Sequence, residues 1–375
     1  MRTQVPLSSD ARADDETDGR VQEVLHDLAT RRLIIANVAW IGRSGPSGWV
    51  LVDAGIPGTA GTIARISDER FSSPPMAIVL THGHFDHVGG LRSLAERWNV
   101  PIYAHALELP YLNGTAAYPP PDPTVGGGLM STLSRVYPRE PVDVSPWLQR
   151  LPQDGSIPPL PQWRWVHTPG HTPGHISLWR ESDRTLIAGD AVITTRQESA
   201  YAALTQEPEM HGPPAYYTQD WMAARDSVEH LAALQPETLV TGHGHAMRGE
   251  EMRRALQRLA RDFDRLAIPE SGRYVADPAL PEDGTAYRRP RAAKESPTMA
   301  GTRDKGDLPV TAEVGSEGGS YADPTVQVAT RTGRLPRVDR SEPDDSTPGA
   351  VADAVTPTPD GPEDGVRVPR EPESD

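Results

Sequence analysis

The sequence predicts an α/β protein, and three observations lead there. Short apolar runs of strand length recur over residues 33–241, with amphipathic stretches of helix length between them. The stretch from Ala77 to Ala104 reads strand, helix, strand. Clusters of His and Asp follow four of the apolar runs, at the place where open α/β sheets bind ligands. The 375 residues suffice for one large domain or two, but composition confines the folded part. From Arg291 to Asp375 there is one aromatic residue, Tyr321, with eleven prolines and seventeen acidic residues against ten basic ones. Such a segment buries too little apolar surface to offset the entropy of ordering its backbone. A disordered acidic, Pro-rich tail is therefore expected over 291–375. A disordered N-terminus is expected over 1–20, and a folded domain over 21–290.

The elements are read in order. Leu33 to Val38 and Trp49 to Val52 are strands, joined through the turn-rich GRSGPSG (42–48) as a hairpin. Thr59 to Arg70 is a helix. Ala77 to Leu80 is a short buried strand that delivers THGHFDH (81–87) at its end. Gly89-Gly90 opens the helix LRSLAERW (91–98), whose Leu91, Leu94, Ala95 and Trp98 share one face. Ile102 to Ala104 is the next strand. Residues 111–161 are dense in Pro and Gly, with one helical candidate, Leu129 to Tyr137; loops this long are usually functional or mobile. Trp163 to Val166, Ile176 to Trp179, Thr185 to Ala188 and Thr238 to Thr241 are strands. Thr218 to Leu234, with Thr218 as N-cap, and Arg248 to Ala267 are helices.

Composition excludes several chemistries. There is no Cys, so disulfides and thiolate ligands are absent. Lys occurs only at 294 and 305, which removes a Schiff-base lysine and a phosphate-loop lysine from the domain. A net charge of −15 argues against nucleic acid and anionic membranes as partners. No signal peptide and no run of the ~20 apolar residues needed to span a bilayer is present. The expectation is a cytoplasmic protein acting on a small molecule, with a homodimer permitted.

Seven residues read as one dinuclear metal site: His82, His84, Asp86, His87, His171, Asp190 and His243. They lie in THGHFDH, HTPGHTPGH (167–175), LIAGD (186–190) and VTGHGH (240–245). Imidazoles two residues apart in extended chain point the same way, so His82 and His84 grip one ion and His171 completes a three-His set. Three protein ligands with an open position make a catalytic zinc site. Asp86, His87 and His243 form the second site, and the two oxygens of Asp190 bridge both. The remaining histidines take ordinary structural readings, with His175 and His245 near enough to support the ligands.

On these motifs, residues 33–267 resemble a metallo-β-lactamase-fold hydrolase; 189–275 are similar to an uncharacterised metallo-hydrolase branch, glyoxalase II- and lactonase-like. The resemblance implies a four-layer αβ/βα sandwich with metals at the sheet edges. It implies the same two ligand sets, with Asp53 of LVDAG orienting a ligand from behind. Departures narrow it. His84 stands where electron-transferring diiron members carry Glu, and the Cys of some antibiotic-cleaving members is missing. The expected function is hydrolysis of an ester, thioester or lactone with two Zn2+, iron or manganese being permitted. A metal-bridging hydroxide would be the nucleophile and Asp86 the catalytic proton acceptor. The alternatives are an iron-dependent oxidoreductase like the persulfide dioxygenases, or a β-lactam or phosphodiester hydrolase. Arg196, Gln197 and Glu198, soon after Asp190, are expected to bind substrate, with Tyr137 or Met130 of the 111–161 stretch covering it.

Overall fold

The computed structural model describes residues 4–13, 21–45 and 47–291. Seven strands form one sheet in sequence order: Gln22–Leu25, Leu28–Leu33, Ala36–Ile41, Val50–Val52, Ala77–Val79, Ile102–Ala104 and Leu148–Arg150. The first four pair antiparallel, and Val50–Val52 onward run parallel. A second sheet has five strands in the spatial order Met247–Arg248, Thr238–Val240, Thr185–Ile187, Ile176–Arg180, Arg164–His167. Its strands Thr185–Ile187 and Thr238–Val240 are parallel.

Side-chain alternation divides each strand between two cores. Val50, Val52, Val79, Leu178, Ile187 and Val240 meet in one apolar layer between the sheets. Leu51 and Ile78 point the other way, into a core with Ile63 and Ile66 of helix Ala60–Arg70 and Leu91, Leu94 and Trp98 of helix Leu91–Trp98. Leu186 and Leu239 face helices Trp221–Ala233 and Gly249–Arg261 through Val228, Leu231, Leu256 and Leu259. The result is the expected four layers: helices, sheet, sheet, helices. Strands with both faces covered must be apolar on both, which is why the parallel strands read as unbroken apolar runs.

Several expectations are corrected. Leu33 to Val38 is not one strand: the chain reverses at Ile34, which takes φ 66°, and a hairpin results. A β-branched residue in the left-handed region is rare, so nothing local announces the turn. Tertiary bonds hold it, with the Asn37 side chain donating to the carbonyls of Thr241 and Gly244 at 2.8 and 2.7 Å. Strands Gln22–Leu25 and Leu28–Leu33 lie ahead of the first strand that was expected. Asp220, not Thr218, caps the helix that follows, accepting from the backbone N–H groups of Met222 and Ala223. The helix from Gly249 ends at Arg261, and a separate turn runs from Phe263 to Leu266. Leu129–Leu133 is helical as expected, and 134–136 tighten to a 3-10 turn.

Residues 4–13 are not disordered. Val5–Pro6 pairs antiparallel with Glu209–Met210, and Val5, Leu7 and Ala11 are buried. The expectations for 1–3, 14–20 and 292–375 lie outside the described residues. Among the described residues no helix is long and apolar enough to cross a membrane.

Candidate metal centre

The parallel strands end together at one edge of the sandwich, and their ends carry the His and Asp clusters. Asp53 follows Val50–Val52, His82 follows Ala77–Val79, Asp190 follows Thr185–Ile187, and His243 follows Thr238–Val240. His84 caps the short helix Phe85–Val88, which turns Asp86 and His87 back toward the same edge. All seven expected residues are buried.

They form three overlapping groups whose ligand atoms lie within 4.8 Å of one another: His82, His84 and His171; His82, His87 and Asp190; Asp86, His87 and His243. Nδ1 of His84 and Nε2 of His171 face each other at 2.9 Å. Asp190 stands between the groups. Its Oδ2 is 3.5 Å from His171 Nε2 and 3.1 Å from His243 Nε2, and its Oδ1 is 3.5 Å from His87 Nε2. His243 Nε2 is 3.6 Å from Asp86 Oδ2. Nε2 of His82, Nε2 of His87 and Oδ1 of Asp190 are buried without a hydrogen-bond partner. Buried polar atoms without partners are rare, and here they converge. The donor set, imidazole and carboxylate, fits divalent ions such as zinc, iron or manganese.

The outer atoms of these residues are held in place. His87 Nδ1 is 2.8 Å from Asp53 Oδ2, and His243 Nδ1 is 2.6 Å from the carbonyl of Ile35. Each contact puts the proton on Nδ1 and leaves the Nε2 lone pair facing inward. His175 Nε2 accepts the backbone N–H of Asp190 at 2.9 Å, and its Nδ1 is 2.8 Å from Thr168 Oγ1. Gly242 must be glycine, since a Cβ there would lie 2.0 Å from Asp190 Oδ1.

Burial, then the charges of His87 and His84, pushes His82 well below the usual histidine range; burial, then His171, does the same to His84. Burial takes His171 down to about 4 and His175 to about 3. Burial opposes charge on His87 and His243, but Asp190, together with Asp53 at His87 and Asp86 at His243, holds both above the usual value. Burial would raise Asp190, yet His243 and His87 keep it well below the usual carboxylate range.

Several contributors carried no motif. Glu108, fully buried, accepts from Gly83 N, Tyr118 OH, Thr172 Oγ1 and Gly174 N. Its one sequence signal was a lone acid between Leu107 and Leu109. Tyr217 stacks on His84 at 4.4 Å between ring centres, and its buried hydroxyl has no partner. Tyr137, expected to cover the site, packs 5.4 Å from Phe85 and 6.4 Å from Tyr217, with Met130 3.4 Å from its hydroxyl.

Two of the three residues expected to bind substrate have partners of their own: Arg196 pairs with Glu209 at 3.2 Å, and Glu198 accepts the N–H of Ala215 at 2.7 Å. Gln197 is fully buried, and both atoms of its amide lack a hydrogen-bond partner. Arg196 and Glu198 line a cleft of about 450 Å³ with Gln4, His211 and Arg265, and none of the seven cluster residues lines it.

The metallo-beta-lactamase superfamily profile matches residues 31–243. The chain belongs to that superfamily. It is 49% identical over 229 residues to "Probable metallo-hydrolase YflN" of Bacillus subtilis (strain 168), covering 60% of this chain and 87% of the relative. A second relative there, "Probable metallo-hydrolase YybB", is 31% identical over 205 residues, covering 55% and 79%. Among solved structures, a beta-lactamase domain protein from Burkholderia ambifaria is similar at 21% identity and a TM-score of 0.46, covering 70% of this chain and 80% of that one.

Proposed function

We propose that the protein is a dinuclear metal-dependent hydrolase of esters, thioesters or lactones, with zinc as the working ion. The convergence of unpartnered His82 Nε2, His87 Nε2 and Asp190 Oδ1 carries the metal reading. His82, His84 and His171 would hold the first ion, Asp86, His87 and His243 the second, and Asp190 would contribute to both. When bound, such an ion pair polarises a carbonyl and supplies water acidic enough to attack it near neutral pH.

The chain's own residues supply the rest. Water adds to the acyl carbon, the C–O or C–S bond breaks, and an acid and an alcohol or thiol leave. Asp86 would take up the proton of the attacking water. Tyr217 donates its otherwise unpartnered hydroxyl to the developing oxyanion, the kind of preorganised contact that favours a transition state. Phe85, Met130, Tyr137 and Tyr217 form an apolar, aromatic wall suited to an acyl group. That wall favours carbon esters over phosphodiesters, and the metallo-hydrolase names of the two Bacillus subtilis relatives agree with hydrolysis.

The test is a screen of zinc-loaded protein against aryl esters, thioesters, lactones, β-lactams and phosphodiesters. Turnover confined to the first three classes is expected. Cleavage of phosphodiesters or β-lactams alone, or of nothing, would overturn the substrate reading.

A further inference from the structure

Glu108 lies outside every metal-ligand motif, yet it joins two of them. Its Oε1 accepts from Thr172 Oγ1 and Gly174 N, each at 2.8 Å. Its Oε2 accepts from Gly83 N at 3.0 Å and from the hydroxyl of Tyr118. Gly83 is the residue between His82 and His84, and Thr172 follows His171. One carboxylate therefore spans the two loops that supply the three-imidazole group, and touches neither Asp86, His87 nor His243. Both backbone donors are glycines for a steric reason. A Cβ on Gly174 would lie 2.8 Å from Glu108 Cγ, and one on Gly83 would lie 2.7 Å from the Tyr118 oxygen.

We infer that Glu108 is a positioning residue for the first metal position: by accepting from both loops it sets the spacing of His82 and His84 against His171. The inference rests on the metal reading above. All four partners donate, and two are backbone N–H groups that cannot turn to accept. A carboxylate satisfies all four, because both of its oxygens only accept. Glutamine cannot, since its NH2 end must face one of the two glycine N–H groups; at Gly83 that N–H falls back on the Tyr118 oxygen, 2.9 Å away, and its bond to residue 108 is lost. Glu108→Gln therefore releases one loop while leaving volume and packing nearly unchanged. The remaining ligand set, Asp86, His87 and His243, is held from other directions, by Asp53 and by the carbonyl of Ile35.

The experiment titrates metal-free full-length protein with cobalt. Visible absorption reports coordination, and the signal missing from His84→Ala marks the first position. Melting of the metal-free protein is recorded alongside. Glu108→Gln is expected to weaken the first position about 10-fold or more, the size typical of lost supporting bonds. The second position should change less than about twofold. Thr172→Val should shift the same position in the same direction, and Thr172→Ser, which keeps the hydroxyl, should restore it. The Thr172 pair also decides the matter if Glu108→Gln fails to fold. Parent-like affinity at the first position in Glu108→Gln, or in Thr172→Val, would overturn the inference. Equal weakening of both positions would overturn it too, by making Glu108 a general structural residue. Failure of the parent to bind cobalt at all would instead sink the metal reading from which the inference starts.

Discussion

Asp53 Oδ2 lies 2.8 Å from His87 Nδ1, while its Oδ1 accepts the backbone N–H of Thr81 at 2.8 Å. The end of one parallel strand thereby fixes both the tautomer of His87 and the start of the loop that carries four cluster residues. Asp53 reaches this place with φ 62°, a left-handed conformation that Asp tolerates better than most residues. Asp53→Ala should lower affinity at the position holding His87 by about 10- to 100-fold. Competition with a chromophoric chelator measures this, and unchanged affinity would show that His87 needs no such partner.

In the proposed dinuclear site Asp190 is common to both ligand sets. Asp190→Ala should reduce bound metal below two ions per chain and turnover by orders of magnitude, whereas His84→Ala should empty chiefly the first position. Metal content by mass spectrometry beside turnover separates the two. An Asp190→Ala protein with two ions and full activity would refute the bridging role.

Tyr217→Phe keeps the ring on His84 and removes only the hydroxyl. If that hydroxyl meets the oxyanion, kcat should fall about 100-fold with metal content and melting temperature unchanged. A change in KM alone would assign Tyr217 to ground-state binding instead.

His105 offers a pH test away from the metal cluster. Burial, then His167 and Arg150, pushes it down to about 3. Its ring stacks 4.3 Å from His167, and its Nδ1 accepts the N–H of Leu107. The folded state therefore keeps His105 neutral while the unfolded chain takes up a proton near the usual value of about 6.5. Its contribution is full above about pH 6.5. It is lost as pH falls toward 3, by up to about 1.4 kcal/mol per pH unit. Asn retains the capping acceptor, so His105→Asn should lose less stability than the parent between pH 6.5 and 5. Parallel denaturation curves would count against this.

Arg196→Ala should leave kcat/KM within about twofold, because its partner is Glu209 and its cleft is separate from the cluster. Stability should drop by about 1–3 kcal/mol, since Glu209 is buried and loses a charged partner. A large catalytic loss in a stable Arg196→Ala protein would return this residue to the substrate pocket.

The sequence by itself determined an α/β fold and the His/Asp cluster, while the four layers were implied by the resemblance its motifs carry. Both depend on short-range pattern: apolar runs at strand length, and ligand residues packed into motifs of a few positions after them. Strands buried on two faces are apolar throughout, so Val50–Val52, Ala77–Val79, Thr185–Ile187 and Thr238–Val240 were visible as runs. Tertiary structure alone decided the rest, because the deciding bonds join residues far apart in the chain. The turn at Ile34 contradicts local propensity and is fixed by Asn37 against the loop of Thr241 and Gly244. Residues 4–13 are polar enough to read as unstructured, yet Gln4 bonds His211 and Gly212 some two hundred positions away. Glu108 was one acid among leucines until folding surrounded it with four donors from three segments. Nearness in sequence placed Arg196 beside Asp190, but the backbone carries its side chain to Glu209 instead.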